Sequence, residues 1–192
     1  MQGGPADGEG ERLPGLVSPG LAVTWNLAKP HRRRTCASRM VGGVGETVTV
    51  RPGTPADAEA LACLRYALWP DGSEAEHRRE VVRFFEARPG GAILVAEDVS
   101  GLLGFAELSI RPYAEGCESG RVGFLEGWYV VPRARRRGIG RRLVAAGEEW
   151  ARAAGCTEFG SDAEADNELG AAAHHALGFE EVGLIRCFRK DL

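Results

Sequence analysis

Residues 135–143 read RRRGIGRRL, five arginines set around Gly138 and Gly140 in a 192-residue chain whose formal net charge is −3. The planar guanidinium of arginine matches phosphate oxygens, in contacts that are charge-assisted and often bidentate. Glycines let the backbone come close to a ligand, and the free N–H groups and dipole of a helix's first turn favour an anion. The motif therefore offers three chemistries: a grip on a nucleic-acid backbone, a solvated basic turn, or a cradle for the phosphates of a small cofactor. It is not a Walker A loop, which needs G-K-[ST], and it lacks the G-x-G-x-x-G spacing of dinucleotide sites.

A second group of residues has the types needed to hold a cation or move a proton. Glu126 sits amid Phe124, Leu125, Trp128 and Tyr129 in FLEGWYV, where a carboxylate is costly unless it is paired or functional. It is either a salt-bridged strand residue or a general base for an ammonium. Asp162 opens the acidic run SDAEADNE, and an acid there can also serve a following helix start. Glu115 and Glu118 add acidity in the loop RPYAEGCESG (111–120). Trp69, in LWP, reads equally as a helix-end hydrophobe or a flat stacking wall, and Tyr113 divides the same way. Among the four histidines none has metal-ligand spacing. Cys156, just past Gly155, has no activating partner near it in sequence and reads as a small packing residue.

Composition narrows these options. A chain that is 44% hydrophobic and 27% charged suits one globular domain. A pI near 5.9 argues against a nucleic-acid coat, because the basic charge is local rather than broad. The five cysteines, Cys36, Cys63, Cys117, Cys156 and Cys187, are odd in number, widely spaced and never C-x-x-C. They suggest neither a disulfide framework nor a zinc site, and fit a reducing, cytoplasmic setting. No apolar run is long enough to span a bilayer.

The elements that must position these residues begin after a compositional break. Residues 1–46 hold nine Gly, four Pro and the run HRRR (31–34) without periodicity, the marks of a disordered leader. Met40, just before the patterned region, is an alternative start. From residue 47 the pattern is regular to 192. TVTVRP alternates as a strand, and T-P-A-D (54–57) caps a helix running to about Trp69. Ser73 and Glu76 form a capping box for a second helix carrying Val81, Val82, Phe84 and Phe85. ILVAE (93–97), a DVSG turn and LLGFAELSIR (102–111) read as a hairpin. A strand at 123–131 runs through the basic loop into a helix with Leu143, Val144, Gly147, Trp150 and Ala154 on one face, stopped by Gly155. Strand, Gly-rich basic loop, helix is the order an anion site requires.

With that order, R-x-x-G-x-G (Arg135, Gly138, Gly140) resembles the acyl-CoA pyrophosphate loop of the GNAT N-acetyltransferases. The resemblance runs from about residue 48 to the C-terminus. It takes in a strand TEFGSD (157–162), a helix from about Asn167, the turn ALGF (176–179) and final strands EEVGL and IRCFRKD. LWP (68–70), FLEG (124–127), SD (161–162), N-x₁₀-G-F (167–179) and the terminal FRK are similar, in order and spacing, to the aminoglycoside 6′-N-acetyltransferases.

The resemblance implies an α+β fold, a mixed central sheet flanked by helices. It implies acetyl transfer from acetyl-CoA to the 6′-amine of an aminoglycoside, hence antibiotic resistance, in a cytoplasmic homodimer that needs no metal, nucleic acid or membrane. The cofactor would be held by Tyr129, Val130 and Val131, by the loop Arg135, Arg136, Arg137, Gly138, Ile139, Gly140, Arg141 and Arg142, and by Asn167. A backbone N–H near Val130 would polarise the thioester carbonyl for direct attack by the amine. Trp69, Tyr113, Glu126 and Asp162 would contact the polycationic acceptor, with Glu126 as base and Asp162 holding the substrate beside it. His174 falls where many relatives in the superfamily have a tyrosine that protonates the departing thiolate, so catalysis and a structural or cofactor contact both stand for it. Two other readings share the loop: a GNAT enzyme acting on a peptide, lysine or polyamine amine, and a silent acyl-CoA-binding module. The acidic pair favours catalysis.

Overall fold

The computed structural model describes residues 47–87 and 90–191; the expected leader, 1–46, lies outside them. Five strands form one sheet in the order β1 (Thr49–Pro52), β2 (Ala92–Asp98), β3 (Gly101–Arg111), β4 (Val122–Val130), β5 (Glu158–Ser161). β1 to β4 pair antiparallel and β4 with β5 parallel. The parallel step needs a crossover. Helix α3 (Ile139–Ala153) supplies it, while α1 (Ala58–Leu68), α2 (Glu74–Ala87) and α4 (Glu168–Ala176) complete the flanking layers.

The helix starts follow the expected local chemistry. Before α1 a short 3₁₀ turn, Pro55–Asp57, begins at Thr54, whose N–H donates to Asp57 Oδ2 at 2.8 Å. At α2, Ser73 N–H donates to Glu76 Oε2 (2.8 Å) and Glu76 N–H to Ser73 Oγ (3.2 Å), a reciprocal capping box. The core fills the space between helices and sheet: Leu61, Leu64 and Leu68 from α1, Val95, Leu103, Phe105 and Leu125 from the strands, and Ile139, Leu143 and Val144 from α3. Each such side chain contributes about 1.5–3 kcal/mol on burial. On α3 the buried stripe ends at Ala151 rather than Ala154, and on α2 Val82 is exposed.

Two expectations need correction. EEVGL and IRCFRKD form no strands: residues 180–191 carry no regular element, and Val182, Leu184, Ile185 and Phe188 are exposed. Alternation alone does not make a strand; a ladder partner must be in register, and although β5 pairs with β4 on one side only, residues 180–191 form no ladder with it. Cys63, on α1, is disulfide-bonded, whereas Cys117, Cys156 and Cys187 carry free thiols. Spacing along a chain cannot exclude a single bridge. Among the described residues no helix is long and apolar enough to cross a membrane.

Candidate active site

The site is built where β4 and β5 part. Their ladder runs only from Val122 opposite Glu158 to Leu125 opposite Ser161, yet β4 continues to Val130. On its other side the β3 register jumps, with Leu108 opposite Leu125 and Glu107 opposite Gly127, so Glu126 is the extra residue of a β-bulge. The bulge and the parting coincide. Val131 N–H bonds the Leu103 carbonyl at 2.9 Å; because antiparallel partners alternate, the Val130 amide faces away from β3, into the gap that β5 leaves.

The basic loop closes one end of this gap. After a 3₁₀ turn, Pro132–Ala134, Arg135 is extended, while Arg136 (φ 63°) and Gly138 (φ 75°) are left-handed. A non-glycine residue at positive φ stores strain and recurs at ligand sites. The first intrahelical bond joins Arg142 N–H to the Gly138 carbonyl at 3.1 Å, so the N–H groups of Ile139, Gly140 and Arg141 have no carbonyl within the helix. At Gly140 a Cβ would meet the Trp128 ring at 2.4 Å, which brings the helix start hard against β4.

The arginines divide by task. Arg135 Nε donates to the Val130 carbonyl (2.9 Å), and its guanidinium lies 5.6 Å from the Tyr129 ring centre. Arg136 and Arg137 are exposed on the loop. Arg141 Nη2 instead donates to the Ala176 carbonyl at the end of α4 (3.1 Å), and Arg142 Nη2 to Val48 O (2.7 Å). Spacing assigned all five to phosphate; α3 turns the last two toward α4 and β1.

Helix α4 forms the opposite wall. Asn167 is 8% exposed; its Oδ1 accepts from Gly170 N–H at 2.9 Å, capping the helix, while Nδ2 has no partner. A buried amide donor left unsatisfied is costly, and it suits a ligand carbonyl. His174 Nδ1 donates to the Gly170 carbonyl (2.8 Å), and Nε2 stands 2.9 Å from Ser161 Oγ, itself 3.2 Å from Leu125 O. Burial lowers the His174 pKa from its ordinary 6.5, only partly offset by the Gly170 hydrogen bond and Asp162. Sequence reasoning quoted Ser161 only as part of a pair; its role appears once β5 ends there.

On the β3 side of the bulge, Glu126 Oε1 accepts from Ser109 Oγ and from Arg111 Nε (3.0 Å), and Oε2 accepts from Arg111 Nη2 (2.5 Å). Neither Ser109 nor Arg111 was expected; the only signal was their place at the end of the neighbouring strand. Asp162 lies just past β5, exposed at its tip. Its pKa is raised chiefly by desolvation and by Glu126, against the pull of Arg111 and His174. Glu126, Asp162, Arg111 and His174 thus share one field. Tyr113 is exposed, its hydroxyl donating to Glu115, which raises its pKa.

Trp69 is 9% exposed, with Phe105 edge-on at 6.0 Å and Arg65 over its ring at 4.7 Å, so most of its surface packs inside the protein. The chain turns inward after α1 (Trp69 φ −122°, ψ 86°) and lays the ring on Gly127.

The free β4 edge, the left-handed loop and the unpaired Asn167 amide fit an acyl-CoA: amides for the pyrophosphate, strand and Asn167 for the amide-bearing arm. Among the described residues no cluster of three or more His, Cys, Asp or Glu could hold a metal.

Comparison with known proteins agrees with this geometry. Residues 60–179 match the family described as Acetyltransferase (GNAT) family. An Aminoglycoside N(6′)-acetyltransferase type 1 of Klebsiella aerogenes is 52% identical over 146 residues, covering 74% of this chain and 96% of that protein. A namesake in Stenotrophomonas maltophilia is 41% identical over 150 residues (78% and 97%). Among solved structures, AAC(6′)-Iy in complex with the bisubstrate analog CoA-S-monomethyl-acetylneamine superposes with a TM-score of 0.72 at 34% identity, covering 77% of this chain and all of that one. The apo aminoglycoside 6′-N-acetyltransferase AAC(6′)-IG of Acinetobacter haemolyticus gives 0.71 at 37% (75% and 99%). With its acyl-CoA cleft and the acidic residues beside it, the chain belongs to the GNAT acetyltransferases and, within them, to the aminoglycoside 6′-N-acetyltransferase family.

Proposed function

We propose that this protein transfers the acetyl group of acetyl-CoA to the 6′-amine of an aminoglycoside. The observation that carries the reading is the bulge at Glu126, where a carboxylate and an unpaired strand edge meet at one point. Bound there, acetyl-CoA supplies an activated thioester carbonyl. The amides of Ile139, Gly140 and Arg141, with Arg135, Arg136 and Arg137, hold its pyrophosphate. Asn167 Nδ2 and the edge from Tyr129 to Val131 orient the arm, and the Val130 N–H stabilises charge developing on the carbonyl oxygen. Asp162 attracts the polycation, and Glu126 takes the proton the ammonium must lose before the amine attacks. Tyr113, in the 111–121 loop, covers the acceptor.

For the departing thiolate, the supported donor is the Ser161–His174 pair. Gly170 O fixes the proton of neutral His174 on Nδ1, leaving Nε2 free to take, through Ser161 Oγ, the proton that the amine sheds as it adds to the carbonyl, and to return it by the same relay to the departing sulfur.

A homodimer is proposed on the exposed apolar residues Val182, Leu184, Ile185 and Phe188, which a second copy can cover. Cytoplasmic residence is proposed on the use of acetyl-CoA; the cysteines do not decide it, since Cys63 is disulfide-bonded while Cys117, Cys156 and Cys187 carry free thiols. Free-CoA release with kanamycin or tobramycin tests the activity; release only with a peptide or polyamine acceptor would move the assignment to that acceptor class.

A further inference from the structure

Arg111 ends β3 at the mouth of the acceptor site, and its pairing with Glu126 poses a problem for the chemistry. Its Nε and Nη2 take both carboxylate oxygens, at 3.0 and 2.5 Å, and its guanidinium lies 3.4 Å from the Phe124 ring centre. The pair is neither sunk in the core nor free in water, with Arg111 31% and Glu126 25% exposed. An incoming ammonium that must hand a proton to Glu126 therefore finds a cation already in place. Asp162, in the field of the same guanidinium, is a second acid to which either cation can turn.

We propose that Arg111 is a displaceable counter-cation that sets acceptor specificity: in the free protein it occupies the ammonium seat on Glu126, and an acceptor with several ammonium groups displaces it. The proposal rests on the acetyl-transfer reading above. A single ammonium offers one point contact against a bidentate fork that also keeps its seat on an aromatic face. That exchange is unfavourable. A polycation adds a contact at Asp162 while its reacting amine reaches Glu126, so the exchange gains a charge pair instead of merely swapping one. Specificity then comes from a built-in competitor, which penalises the wrong acceptor rather than rewarding the right one.

The test compares wild type with Arg111→Gln, Arg111→Lys and Arg121→Gln, all checked for fold by circular dichroism and acetyl-CoA affinity. Arg121, whose Nε bonds the Ala154 carbonyl, carries the same charge change without touching Glu126. Calorimetry with tobramycin should show Arg111→Gln binding roughly three- to tenfold more tightly, Arg111→Lys in between, and Arg121→Gln within about twofold of wild type. In steady state, the KM of the monoamine 6-amino-6-deoxyglucose should fall more in Arg111→Gln than that of tobramycin. Equal or weaker tobramycin binding by Arg111→Gln overturns the proposal. So does equal tightening in Arg121→Gln, or a lower kcat at unchanged KM, which would make Arg111 a prop for Glu126. If wild type acetylates neither acceptor, the acetyl-transfer reading fails, and the calorimetric comparison still decides the exchange.

Discussion

A Cβ on Gly127 would lie 2.5 Å from Cζ2 of Trp69, so the indole of one residue takes the room that a side chain on the other would need. Gly127 follows the bulged Glu126, which makes Trp69 the floor under that stretch of β4. Gly127→Ala should destabilise the fold by about 1–3 kcal/mol through overpacking, measured by urea denaturation. Trp69→Phe should lose stability while leaving the aminoglycoside KM within about threefold. A large KM increase at unchanged stability would assign Trp69 to the substrate wall.

Gly138 leads into α3 at φ 75° with nothing within 4 Å of a would-be Cβ. Substitution there strains the backbone rather than striking a neighbour. Gly138→Val should therefore weaken acetyl-CoA by about tenfold as the left-handed turn relaxes and the amides lose their aim. Calorimetry showing wild-type affinity in the folded variant would remove the loop from the pyrophosphate site.

Asp162 titrates above its ordinary 3.8, mainly through desolvation. A carboxyl with a raised pKa loses its charge sooner as pH falls, so attraction for the polycation is full well above that pKa and fades on acidification. The aminoglycoside KM of wild type should rise as pH drops toward that value, and Asp162→Asn should show a high KM with that dependence flattened. Acetyl-CoA KM should stay flat in both. An unchanged slope in Asp162→Asn would assign the titration elsewhere.

Residues 1–46 carry none of the proposed site. A truncated chain beginning at Thr47 keeps the Val48 carbonyl that Arg142 bonds. It should fold and retain kcat within about twofold of the full chain under reducing conditions, which release the Cys63 disulfide, as read by thermal unfolding and CoA release. Loss of either would give the leader a role.

What the sequence made legible was local. Thr54 and Ser73 announce helix starts because a cap's chemistry lies within three or four residues of it, and the glycines of RRRGIGRRL announce the turn into α3 for the same reason; the helix at Asn167 was expected only from the family resemblance. Glu126 stood out because a lone carboxylate in an apolar strand is costly. Arg111, Ser109 and Ser161 were missed because their meaning is set by register: which residue of β3 faces the bulge, and where β5 stops. Trp69 was read from the end of a helix, but whether it faces solvent depends on a glycine 58 positions away on β4. The terminal segment alternates like a strand and still finds no partner, since pairing is a property of two segments.

Steady-state kinetics of Glu126→Gln with tobramycin at the pH optimum test the general base most directly. The variant keeps the shape and loses the base, so kcat should fall by roughly 10² to 10⁴ while the acetyl-CoA KM stays within about twofold. A kcat near that of wild type in the folded variant would contradict the assignment of Glu126 as the base.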